Sequence, residues 1–183
     1  MIRIVEFYQG GTANTYTKHA NCNRIWVRMC GAGGGGGSAN AAANNASAGG
    51  GGGAGGYFEF LLVNPPASLN VYVGAGGAGG ASNGGPGQNG GDTIFGNDYA
   101  NINCLATGGG GGSAGGNNNA TPKVGAGGVG GDTFSNLSSD YWGSLGAPGG
   151  ESIIANKLLC FGGDGGSSVF GSGPTGPVSV SAA

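Results

Sequence analysis

Apolar runs alternate along the chain with glycine tracts of similar length. The runs cover 24–30, 57–63, 69–73, 93–96 and 101–107, and the tracts cover about 31–37, 49–56, 74–80, 84–91, 108–116, 125–131, 143–150 and 162–166. In the first run Ile25, Val27 and Met29 alternate with Arg24, Trp26 and Arg28, the period of two that gives a strand one apolar and one mixed face. The runs therefore read as short strands, and helix signals are nearly absent. Asn64-Pro65-Pro66-Ala67-Ser68 is turn-prone and predicts a hairpin between 57–63 and 69–73; Asn97-Asp98-Tyr99-Ala100 joins 93–96 to 101–106 in a second pair.

Inside several tracts the glycines have a local period of three, as in Ala75-Gly76-Gly77-Ala78-Gly79-Gly80 and Ala126-Gly127-Gly128-Val129-Gly130-Gly131. Three residues make one turn of a polyproline II helix, so an x-Gly-Gly triplet lines its side chains along one edge and leaves two edges bare for close packing. Such a helix has no internal hydrogen bonds, and its N–H and C=O groups need partners on adjacent helices. The predicted fold is all-β and irregular: a small antiparallel sheet capping a bundle of glycine-rich polyproline II (polyglycine II) helices. Collagen is excluded because the Gly-X-Y period is not sustained. Each excursion leaves the sheet along one tract and returns along another, which predicts that the tips 38–48, 81–86 and 117–123 gather about 25 Å from the sheet. Residues 1–23 read as an N-terminal strand or attachment segment, and 24–183 as the glycine-rich domain.

Composition agrees with this. The 49 glycines in 183 residues are nearly four times the usual share of about 7%. Recurrent apolar and aromatic runs argue against disorder. Only 8% of residues are charged and the net charge is -2, with the six basic residues outside the glycine runs, so nucleic acid is not an expected partner. No apolar span reaches bilayer length, so membrane insertion is not expected. Cys22, Cys30, Cys104 and Cys160 show no C-x-x-C pair; the last three lie in or beside strands and read as buried free thiols. His19, Cys22 and Cys30 do not make a persuasive zinc set, Gly162-Gly163-Asp164-Gly165-Gly166 lacks the repeat of a calcium β-roll, and the scattered acidic residues form no catalytic pair. The expectation is a protein that is not an enzyme and needs no cofactor or metal.

Candidate contact residues fall into two groups. Asn44, Asn45, Asn83, Asn117, Asn118 and Asn119 lie at the tips, either as donors and acceptors for a partner or as turn formers that tolerate left-handed backbone. Tyr141 and Trp142, between glycine tracts, either stack on a sugar or plug the bundle. Trp26, Tyr57, Phe58 and Phe60 read as core or interface of the sheet.

The segment from Thr15-Tyr16-Thr17-Lys18 to Arg24-Ile25-Trp26-Val27-Arg28-Met29-Cys30 and its following glycines resembles the start of the glycine-rich tip domain of phage tail fibres. The blocks 57–73 with 74–80, then Gly91-Asp92-Thr93-Ile94-Phe95-Gly96, then Ala106-Thr107-Gly108-Gly109-Gly110, resemble later blocks of that family in order, over about 12–175. The chain is also similar in principle to the adhesins that cap long tail fibres, in which a polyglycine II sandwich carries receptor-contacting loops. The resemblance implies a virion fibre or spike tip that binds a bacterial surface receptor, either an outer-membrane protein or a surface glycan. It also implies contacts with other fibre or spike proteins and a homotrimer. Residues 1–8 lack the apolar core of a signal peptide, which predicts synthesis in the host cytoplasm without one. A structural virion component without receptor contact is the alternative, and an ice-binding protein is a third class.

Overall fold

A computed structural model of the chain describes residues 5–7, 10–41, 45–98, 102–119, 123–137, 141–156, 159–176 and 178–180. Among the described residues there is no helix, and the regular elements are short strands. They are β1 (Thr12–Thr17), β2 (Arg24–Cys30), β3 (Ala39–Ala41), β4 (Ser47–Ala48), β5 (Tyr57–Val63), β6 (Ser68–Val73), β7 (Thr93–Asp98) and β8 (Ile102–Ala106). After them come β9 (Gly116–Asn119), β10 (Lys123–Val124), β11 (Thr133–Ser135), β12 (Tyr141–Ser144), β13 (Ile153–Asn156), β14 (Leu159–Phe161) and β15 (Val178–Val180).

Two antiparallel sheets, β1-β6-β7-β8-β11 and β12-β5-β2, share one apolar core. The alternation in β2 and β5 turns Met29, Phe58, Phe60 and Leu62 inward, and they meet Leu69, Val71, Phe95, Cys104 and Ala106 of the larger sheet. Phe60 and Phe95 touch across the core edge-on, with ring centroids 5.7 Å apart. The expected pair β7–β8 forms, with Thr93 opposite Ala106 and Phe95 opposite Cys104. The expected hairpin between 57–63 and 69–73 does not. β5 pairs with β2 and β12, whereas β6 pairs with β1 and β7, so the segment between them is a corner from one sheet to the other. Its residues explain why: Asn64 holds a left-handed φ of 52°, and Pro65 and Pro66 bring no N–H with which to continue a ladder. The single small sheet expected from sequence is thus a two-sheet sandwich. Of the two readings of Trp26, core or interface of the sheet, the core one does not hold, because it stands on the outer face of β2, 62% exposed.

The glycine tracts connect these strands and touch one another backbone to backbone. Tract 31–38 donates to 49–56 from Gly31, Gly34 and Gly37, onto the carbonyls of Gly56, Gly53 and Gly50 at 2.8–2.9 Å. The same tract donates to the 85–91 tract from Ala32, Gly35 and Ser38. Tract 49–56 donates from Gly50, Gly53 and Gly56 to 107–113, and it accepts from Gly128 and Gly131, a ladder that Gly125 continues onto the Ala48 carbonyl. Every one of these ladders advances three residues at a time, where a β ladder would advance by two. Among the described residues, tract 49–56 is bonded to five others: 31–38, 107–113, 125–131, 147–150 and 163–166.

Such contact leaves no room for a side chain. A Cβ on Gly53 would overlap the carbonyl of Val129, and one on Gly77 would overlap the carbonyl of Gln88 and lie 2.7 Å from the Gly35 nitrogen. Gly76, one residue away, has nothing within 4 Å of that position. Gly53→Ala and Gly77→Val are expected to destabilise by about 3 kcal/mol or more, since the obstacle is backbone that cannot rotate aside. Gly76→Ala should melt within a degree or two of the wild type, and equal losses at all three positions would refute the packing argument.

Candidate functional site

The connections fix where the tips lie. Tract 31–38 leads out from β2 to β3, and tract 49–56 returns from β4 to β5. Tracts 74–80 and 85–91 make the second excursion, and 107–115 and 125–132 the third. At the far end β3 pairs in parallel with β9, which sets Asn40 opposite Asn117 and Ala41 opposite Asn119. β4 pairs in parallel with β10, so the first and third tips are joined twice. The second tip is tied to them through Ser38, whose hydroxyl donates to the Ala81 carbonyl and accepts the Gly85 N–H at 3.1 Å. The turn there needs Gly84, which has a φ of 87°.

Three excursions are expected from the sequence; the structure has a fourth. Tract 145–152 leads from β12 to β13, and tract 162–167 leaves β14, so β13, β14 and β15 form a small antiparallel sheet at the same end. The signal was present as two glycine tracts flanking 153–161, but the apolar residues there resemble a core strand more than a polar tip. β13 and β14 lie against β4 over a small satellite core of Ala46, Ala48 and Cys160. Polar side chains bind this floor to the tracts. The Ser47 hydroxyl donates to the Gly115 carbonyl at 2.7 Å; the Ser152 hydroxyl donates to the Ala48 carbonyl at 2.8 Å and accepts the Gly125 N–H at 2.7 Å.

Of the tip asparagines, Asn83 is exposed in its turn and Asn45 is half-buried. Asn117, Asn118 and Asn119 are carried by β9, and Asn44 lies outside the described residues. The surface is less uniformly polar than expected: Lys123 is exposed, as are Val124 at 50% and Ile153 at 62%. Tyr141 and Trp142 are not part of it. β12 pairs with β5, Trp142 opposite Glu59, which sets both at the sheet end with the length of the tracts between them and the asparagines.

Trp142, 54% exposed, stands on the outer face of its sheet with the buried Tyr57 edge-on at 5.2 Å. Phe170 meets the same Tyr57 ring, also at 5.2 Å. The Tyr57 hydroxyl donates to Glu59 Oε2, and that carboxylate lies 3.5 Å from Arg28 Nε. Burial first, then the hydrogen bond to Glu59 and its negative charge, push the Tyr57 phenol up to about 12. Burial also pushes the Cys30 and Cys104 thiols up. All four cysteines are unpaired.

A family model described as a glycine-rich domain matches residues 8–182. No curated protein matches the chain at a significant level.

The raised acids set the alkaline stability. An unfolded tyrosine ionises near pH 10, whereas folded Tyr57 keeps its proton to about 12. Between those values the unfolded state binds fewer protons, and stability falls as pH rises. The melting temperature should hold from pH 7 to about 8.5, decline from about 9 as the two thiols contribute, and steepen above 10. Tyr57→Phe should remove the steepening above pH 10 while costing about 1 kcal/mol at neutral pH for the lost hydrogen bond. An unchanged alkaline slope in that variant would count against the environment described for Tyr57.

Proposed function

We propose, starting from the fact that the chain belongs to the glycine-rich domain family, that it is a phage fibre or spike tip that binds a bacterial surface receptor during adsorption. The frame is a bundle of polyglycine II helices. What supports it is the hydrogen-bond step of three residues between tracts, which matches the three residues per turn of polyproline II. The role is adhesion rather than catalysis, and no cofactor takes part.

The observation that carries the functional reading is the gathering of successive excursions into one end face, where β3 pairs with β9 and β4 with β10. A stiff frame that holds several loops in a common surface is the usual arrangement for recognition by loops. The asparagines, with Val124 and Ile153 beside them, suit a protein loop or a surface glycan and not a phosphate-rich target. The chain is made in the host cytoplasm, reaches the outside as part of the virion, and assembles as a homotrimer with other fibre or spike proteins. A structural role without receptor contact is the second reading. Trp26, Trp142 and Phe170, exposed at the sheet end, favour a protein partner there.

Purified protein is expected to compete with phage for adsorption, with weak dependence on salt because few charges line the face. Replacing Asn117, Asn118 and Asn119 together by Ala should abolish competition and leave the melting temperature nearly unchanged. Failure of the wild type to compete would give the second reading precedence; competition by the triple variant would move the contact to other tip residues. Light scattering should give three times the 17.3 kDa chain mass, and a monomer at micromolar concentration would refute the trimer.

A further inference from the structure

Around tract 49–56 the hydrogen bonds give an ordered ring. Tract 31–38 is bonded to 107–115, that to 125–132, that to 146–152, and that to 163–167, each also bonded to 49–56. Five neighbours in close-packed order span five of six places around a central rod. The sixth, between 163–167 and 31–38, is a groove of about 550 Å³. It is walled by 31–36, 51–55, 163–166 and 172–176, with Cys30 and Phe170 at its margin.

Two features of the walls describe what fits there. The first is steric. In tract 31–38 a Cβ on Gly31, Gly34, Gly35 or Gly37 would overlap a neighbouring carbonyl, but Gly33 and Gly36 are different. A Cβ there would lie 3.8 Å from the Gly53 oxygen and 3.6 Å from the Gly50 oxygen, an ordinary contact, and neither residue has a left-handed φ. Nothing described within the chain requires glycine at either position; a chain lying against them in the groove would. The second feature is polar. The N–H groups of Gly52 and Gly55, three residues apart, have no protein acceptor among the described residues, although both residues are buried. The carbonyls of Gly163 and Gly166, again three apart, and that of Gly34 receive no hydrogen bond there. A three-residue repeat of donors on one wall and acceptors on two others matches a strand with three residues per turn, and the walls at Gly33 and Gly36 admit one without bulky side chains.

We infer that this groove is a docking site for an extended glycine-rich segment of another polypeptide, which would complete the ring around 49–56. The inference rests on the polyglycine II reading of the tracts. About six residues span the wall 31–36, roughly 19 Å at 3.1 Å per residue. A free segment suits the groove better than a tract of a second folded copy, because four of its sides are already occupied and a bundled tract brings neighbours of its own.

Fluorescence anisotropy on the intact protein tests this with a labelled peptide, Lys-Gly-Ala-Gly-Gly-Ala-Gly-Gly-Ala-Gly-Gly-Lys. Saturable binding is expected, with at least a tenfold loss when one glycine of each triplet in the peptide is replaced by valine. Gly33→Leu and Gly36→Leu should each weaken binding at least tenfold without lowering the melting temperature, while Ala126→Leu, on an exposed position of a different tract, should not. Vibrational circular dichroism of the protein alone is measured in parallel. If its polyproline II signature is present and the peptide does not bind, or binds as well in the valine form, the docking site falls and the bundle stands. If that signature is absent, the bundle reading falls and the docking site with it. Self-association that Gly33→Leu abolishes would make a second copy the occupant and overturn the assignment to another polypeptide.

Discussion

Backbone against backbone, with no Cβ between, is the contact on which the rest of this structure depends. Where the Val129 carbonyl lies beside Gly53, or the Gly110 carbonyl beside Gly34, even an alanine methyl has no volume to occupy. The interior of the tract region therefore buries few apolar side chains and many peptide groups. Each buried peptide unit must find a partner, and the tracts supply one another with N–H···O=C bonds of 2.7–3.1 Å. A single such bond adds only about 1 kcal/mol net, so stability in this region comes from repetition, and a misplaced residue disturbs several bonds together.

At tract edges, where a neighbouring backbone is missing or misaligned, polar side chains take over the acceptor role. The Asp92 carboxylate accepts the Gly108 N–H at 2.9 Å, Asn89 accepts that of Gly111 at 2.9 Å, and Asp164 accepts that of Gly176 at 2.7 Å. Asp92 and Asp164 thus serve as acceptors for tract N–H groups that no carbonyl among the described residues takes. The conventional apolar core at the sheet end does different work. Phe58, Phe60, Phe95 and Cys104 fix the strands from which tracts depart, and so set the order in which the tracts meet.

Much of this was legible in the chain, and the exceptions have definite causes. Alternation identified the inward face of β2 and the strand character of β5, because a strand half-covered on one side shows its period directly. The local period of three in 75–80 and 126–131 anticipated the step of the ladders. The β5–β6 connection is a corner where a hairpin is expected, because a short turn-rich segment is compatible with both and only the partners of the flanking strands distinguish them. The size of Trp26 suggests a place in the core, but its position in the alternation puts it with Arg24 and Arg28 on the outer face. Tyr141 and Trp142 could not be assigned to an end from sequence, since a glycine tract runs equally well in either direction. The fourth excursion was hidden by Ile153 and Phe161, apolar residues at an end that the other tips had suggested was polar.

A frame held by peptide groups also separates two demands that an ordinary domain must satisfy with the same residues. In an apolar core, side-chain identity sets packing, and a surface loop must be compatible with whatever lies beneath it. Here the strands at the sheet end set which tracts meet, the tracts pack through backbone alone, and the tips meet above a floor made by Ser47, Ser152, Ala46, Ala48 and Cys160. Residues beyond that floor, such as Asn83, Val124 and Ile153, contribute little to the frame and are free to be chosen by what they touch outside it. The large loss of conformational entropy that glycine incurs on folding is what this arrangement costs. The separation holds only as long as the tracts remain bare, because one side chain on a shared edge couples the shape of the face back to the packing of the tracts.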